Sequence, residues 1–126
     1  MLTDTIFWID LLKERYEHRK GAATNFLTRQ RNTVLRVSMI TWGEIASGFH
    51  SPEALGDLWG KVRVLGLPKQ VAWEARQIER DLANRHARLG EDDIWIAATA
   101  RTWGLTLVTR DPAFECVFGL NVQQYY

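Results

Sequence analysis

The chain has 126 residues, enough for one domain (1–126) with a real hydrophobic core, and its lysines and arginines (16) nearly balance its acids (15). A net charge of +1 gives no global case for nucleic-acid binding, and no apolar run is long enough to span a membrane. A single cysteine, Cys116, excludes an internal disulfide, and the N-terminus lacks a basic segment leading an apolar one; together these lead us to expect a cytoplasmic protein.

Leu2 to Asp4 can only be a very short strand, because a helix carrying Ile6, Ile9, Leu11 and Leu12, with Trp8 on its flank, follows at once. The stretch from Lys13 to Lys20 reads as the exposed polar end of that helix and its loop. A second helix is expected from Ala22 to Arg31, with Ala22, Phe26 and Leu27 inward. Val34 to Ile40, rich in β-branched and apolar residues, is the clearest strand. A short helix from Ile45 to Phe49 and another begun by Ser51-Pro52-Glu53 precede a third strand, Val62 to Leu67. Lys69 to Leu89 has the spacing of a long amphipathic helix whose buried stripe is Val71, Ala75, Ile78, Leu82 and Leu89. Its outer face carries Arg76, Arg80, Arg85, His86 and Arg88.

The stretch Gly90–Ala100 opens with Glu91, Asp92 and Asp93 and runs directly into a small-residue helix, with Ile94, Ala97, Ala98 and Arg101 at helical spacing and Ile96 and Ala100 widening the buried stripe. Gly104 stops it. Leu105 to Thr109 is a fourth strand, Asp111-Pro112 starts a short helix to Val117, and Asn121 to Tyr125 is a final edge strand. Strands alternating with helices imply a three-layer α/β/α sandwich with a mainly parallel sheet of four to five strands. In such folds ligands gather at the C-terminal ends of the strands.

Four acids fall at that edge: Asp4 after the first strand, Glu44 after the second, Asp111 after the fourth, and Asp93 at the head of the adjacent helix. Singly, each has a good capping role. Asp4, Asp92 or Asp93, and Asp111 suit helix N-termini, and Thr41-x-x-Glu44 has the spacing of a capping box. Jointly they place about four negative charges on one edge, which requires compensation. Hard divalent ions, Mg²⁺ or Mn²⁺, match an all-oxygen donor set.

The segments Leu2-Thr3-Asp4-Thr5 with Trp8 to Leu12, Ile40-Thr41-Trp42-Gly43-Glu44, Asp93-x-x-Ile96-Ala97-Ala98, and Leu107-Val108-Thr109-Arg110-Asp111-x-x-Phe114 resemble, in order and over essentially the whole chain, the PIN-domain ribonucleases. Within them the match is to the VapC-type toxins of toxin–antitoxin pairs. The resemblance implies that Asp4, Glu44, Asp93 and Asp111 form the acidic metal-binding set, with Thr109 supporting it. It also implies Mg²⁺- or Mn²⁺-dependent endonucleolytic hydrolysis of RNA leaving a 5′-phosphate, an antitoxin protein as partner, and a homodimer. Ile6 departs from the Asn or Ser common at that place in the family. A housekeeping nuclease of RNA processing, or a non-catalytic PIN scaffold, is the alternative.

Other classes fit less well. A haloacid-dehalogenase phosphatase would want a second Asp at Ile6, and a receiver domain would want a phosphoacceptor Asp where Pro68 closes the third strand. His18, His50 and His86 lie outside every motif and read as surface residues. Arg15, Arg19, Lys20, Arg29 and Arg31 read as a solvated face, while Arg110, beside Asp111, is expected to contact phosphate. Trp8, Trp42, Phe49 and Trp59 either line a partner groove or fill the core.

Overall fold

The computed structural model describes residues 1–56 and 60–126. Five parallel strands, β1 (Leu2–Thr3), β2 (Arg36–Ser38), β3 (Arg63–Leu65), β4 (Leu107–Thr109) and β5 (Val122–Gln124), form one sheet in the order β3-β2-β1-β4-β5. The described helices are α1 (Thr5–Tyr16), α2 (Ala22–Arg29), α3 (Met39–Ala46), α4 (Lys69–Asn84) and α5 (Glu91–Thr102). The expected PIN-like α/β/α sandwich is what the chain adopts.

Side chains alternate across the sheet, as the pleat demands. Leu2 and Leu107 face α4 and α5, in a core with Val71, Ala75, Ile78, Leu82, Ile96 and Phe114. Val37 and Val108 face α1 and α2, in a second core built on Phe7, Trp8, Leu11, Phe26 and Tyr125. Small residues let α5 lie close: Ala97, Ala98 and Ala100 are fully buried. Its end is a Schellman turn, with the Leu105 amide bonded to the Ala100 carbonyl at 2.9 Å and Gly104 at φ +63.

Several expected boundaries move. The second strand keeps only Arg36–Ser38, because Ser38 caps α3 by accepting from the Thr41 amide at 3.0 Å, so Met39 and Ile40 are helical. The long helix ends at Asn84, and Leu89 packs from the loop instead. In α1 the buried stripe is Phe7, Trp8 and Leu11, and Ile9 is more than half exposed. The aromatic rings win that face: Phe7 stacks edge-on to Trp8, Phe26 and Tyr125, with centroids 5.1 Å apart in the last pair. Trp8 is therefore core, its indole donating to Thr3 Oγ1 at 2.7 Å. Trp42 and Phe49 are half-buried against the same cluster, and Trp59 lies outside the described residues. Cys116 is half-buried, with Sγ on the Ala113 carbonyl.

The Lys13–Lys20 stretch is not wholly solvated. Glu14 is only 3% exposed and accepts from the amides of Gly21 (2.8 Å), Ala23 (3.2 Å) and Thr24 (2.9 Å). It serves as the missing N-terminal cap of α2, whose own first position is a glycine with no side chain to offer.

Candidate functional site

Parallel strands bring the ends of β1, β2 and β4 to one edge, where Asp4, Ser38 and Thr109 stand side by side. Asp4 is 2% exposed. One of its oxygens caps α1 through the Phe7 amide (2.9 Å) and the other accepts from the Thr109 hydroxyl. Burial pushes its pKa up to about 6, against those two bonds, and the neighbouring carboxylates of Asp93 and Asp111 push the same way. The Asp93 carboxyl is also raised, by burial first and then by Asp111, Glu44 and Asp92. Asp93 thus lies within electrostatic reach of Asp4, Asp111 and Glu44, and Asp111 within reach of Asp4.

The capping roles divide unevenly. Asp4 and Asp111 do cap, Asp111 Oδ1 accepting from the Ala113 amide at 2.9 Å. Neither Asp92 nor Asp93 caps, since α5 starts from Gly90, and Asp93 accepts no hydrogen bond among the described residues. The Thr41–Glu44 capping box does not form, because Ser38 holds the Thr41 amide. Glu44 instead accepts from Thr5 Oγ1 at 2.9 Å, and Thr5 continues through Thr41 Oγ1 (3.1 Å) to Ser38 Oγ (3.2 Å). This buried hydroxyl chain was not anticipated. Its only trace in the sequence is that Thr5 and Thr41 sit within the acid motifs.

Thr109 stands between two acids, donating to Asp4 and accepting from the Asp111 amide at 3.0 Å. Arg110 differs from expectation: its guanidinium does not stand free for phosphate but pairs with Asp10 at 2.7 Å. Asp10 also accepts from the Tyr125 phenol at 2.5 Å. Burial tends to raise the Asp10 carboxyl, yet the Arg110 and Tyr125 bonds outweigh it and hold the group below its ordinary range.

Among the described residues no three acids, histidines or cysteines already converge on a single coordinating point. The donors nevertheless fit a hard divalent ion. All are carboxylate oxygens, and two of the groups have pKa values raised by burial first and by neighbouring carboxylates in addition.

A PIN domain profile matches residues 1–117, and the chain belongs to the PIN-domain family. Its fold is similar to that of DNA-bound VapBC from Salmonella typhimurium, with a TM-score of 0.83 and 23% identity over 99% of this chain and 97% of that one. VapBC-1 from nontypeable Haemophilus influenzae gives 0.80 and 24%, covering 98% and 96%. FitAcB from Neisseria gonorrhoeae gives 0.81 and 22%, covering 96% and 94%. No curated protein sequence matches the chain.

Proposed function

We propose that this chain is a Mg²⁺- or Mn²⁺-dependent endoribonuclease and the toxin of a toxin–antitoxin pair, working in the cytoplasm as a homodimer held in check by an antitoxin protein. The observation that carries the reading is the gathering of Asp4, Asp93, Asp111 and Glu44 at one sheet edge, where neighbouring carboxylates add to burial in raising Asp4 and Asp93. Membership of the PIN family and the likeness to folds solved in VapBC complexes support it.

Asp4, Glu44, Asp93 and Asp111 would hold the ion, which when bound supplies Lewis acidity and activates the attacking water. Thr109 fixes the Asp4 carboxylate and the Asp111 backbone in one unit, so two donors keep a constant spacing. Thr5 orients Glu44. Burial of Asp4 excludes water from its inner side, so its charge acts with little dielectric screening. The chemistry at the carboxylates needs no histidine: His18, His50 and His86 are all exposed, and none is among the groups acting on Asp4 or Asp93.

The test uses purified protein and a 5′-labelled RNA oligonucleotide, with Mn²⁺ or with excess chelator. Internal cleavage in Mn²⁺, lost in chelator and in Asp93→Asn, is the expected result. Cleavage that survives chelator would overturn the metal role, and no cleavage at all would leave a PIN scaffold.

A further inference from the structure

Beside the acid edge lies a cleft that the four carboxylates do not use. It has a volume of about 470 Å³, within the usual range of roughly 300–1,000 Å³ for ligand pockets. Its floor is Leu82, Ala87, Leu89 and Ile94, and its rim carries His86 and Arg88. The cleft and the acids are joined through the start of α5. Ile94 follows Asp93 in sequence, and a Cβ on Gly90, at the end of the same loop, would lie 4.0 Å from Asp93 Oδ2.

An RNA chain reaching this edge meets mostly negative charge, so its phosphates need a cation close by. Arg110 is held by Asp10, and Arg85 by Asp81 and the Cys116 carbonyl. Glu79, on the far rim, is held by Arg76 at 2.5 Å. Arg88 is exposed and its guanidinium makes no ion pair or hydrogen bond among the described residues, and neither does the imidazole of His86, whose backbone amide bonds the Ala83 carbonyl. His86 also occupies an unusual place. The end of α4 is a Schellman turn, with the Ala87 amide on the Leu82 carbonyl at 2.8 Å, and His86 sits at its left-handed position with φ +54, where glycine is at ease. Backbone strain at such a residue accompanies functional sites, and an imidazole there presents a flat ring at the mouth of an apolar cleft. His18 ends α1 in the same conformation, so the strain by itself does not distinguish His86; the cleft and the acids beside it do.

From these features we infer that the cleft seats a nucleotide flanking the cut phosphate of single-stranded RNA, its base against Leu89 and Ile94 and stacked by His86, its phosphate on Arg88. This rests on RNA being the substrate proposed above. Binding and cleavage are therefore measured separately. Anisotropy of a fluorescein-labelled single-stranded RNA in Ca²⁺ reads binding, and cleavage of the same RNA in Mn²⁺ reads the catalytic proposal.

Arg88→Ala is expected to weaken binding roughly tenfold and to lower the slope of log affinity against log salt by about 0.7, the value for one phosphate contact on a single strand. His86→Gly gives the sharper result. It relieves the left-handed strain, so the melting temperature rises by a few degrees, while RNA binding weakens about threefold or more. A purely structural His86 would give the first change without the second. Wild-type binding matched by both variants overturns the cleft assignment and leaves the endoribonuclease proposal standing. A wild-type protein that fails to bind RNA in Ca²⁺ overturns the cleft as well, and cleavage in Mn²⁺ then decides the catalytic proposal by itself.

Discussion

Tyr125 donates its phenolic hydrogen to Asp10 at 2.5 Å across 115 residues of sequence, and in doing so ties the last strand to the first helix. The same carboxylate holds Arg110, so β5, α1 and the loop carrying Asp111 share one knot. Tyr125 is 2% exposed, and burial together with the Asp10 bond drives its phenol well above the ordinary tyrosine range. Tyr125→Phe keeps the ring in its stack with Phe7 but removes a bond to a charged acceptor. The expected loss is about 1.5–3 kcal/mol in urea melts. A loss below about 0.5 kcal/mol would mean the knot adds nothing to ring packing.

Asp4 should make stability depend on pH in an unusual direction. Its folded pKa, about 6, lies above the unfolded value of 3.8, so the native state holds the proton longer. Its contribution is intact below about pH 4 and is lost as pH rises through 6. In chelator, Asp4→Asn should therefore gain on wild type across that window, by on the order of 3 kcal/mol, and should not cleave RNA. Mn²⁺ should restore wild type, adding about 2.7 kcal/mol at a hundredfold excess over Kd, and should help the variant less. Parallel pH–stability curves for the two proteins would show that burial and its neighbours do not raise Asp4.

The adjacent acids of α5 separate cleanly. Asp93 is half-buried and feels Asp111 and Glu44, whereas Asp92 is exposed and caps nothing. Asp93→Asn should abolish Mn²⁺-dependent cleavage with the fold intact by circular dichroism. Asp92→Asn should keep activity within about twofold and cost no more than the helix-dipole term of about 0.3–1 kcal/mol. Activity lost in Asp92→Asn instead would place the helix one residue out of phase.

Glu14 predicts the opposite pH dependence from Asp4. Burial raises its carboxyl, but hydrogen bonds from Thr24, Gly21 and Ala23 overcome that and hold it below 4.5. Its stabilisation is complete above about pH 4.5 and is lost as pH falls through the lower folded value. Glu14→Gln should cost about 1–3 kcal/mol at pH 7, and the difference from wild type should shrink on acidification. Gly21→Ala should also destabilise, since its Cβ would meet Glu14 Cδ at 2.6 Å. An acid-insensitive difference would remove Glu14 from its capping role.

What the sequence determined by itself was whatever local physics decides. Alternating strand and helix patterns gave the parallel sandwich, and the stripe Val71, Ala75, Ile78 and Leu82 placed α4 correctly, because a 3.6-residue period needs no distant partner. Acids following strands pointed to one edge, since a parallel sheet puts all strand ends together. Only the tertiary structure decided contacts between residues far apart in the chain. Glu14 looked solvated because its three amide partners lie on another helix. Arg110 looked free for phosphate because Asp10 is 100 residues away. Ile9 lost the inner face of α1 to Phe7 and Trp8 because Phe26 and Tyr125 supply rings that an isolated helix pattern does not contain. Periodicity reports how apolar a face is, but the shape and polarity of what packs against it are set by the rest of the chain.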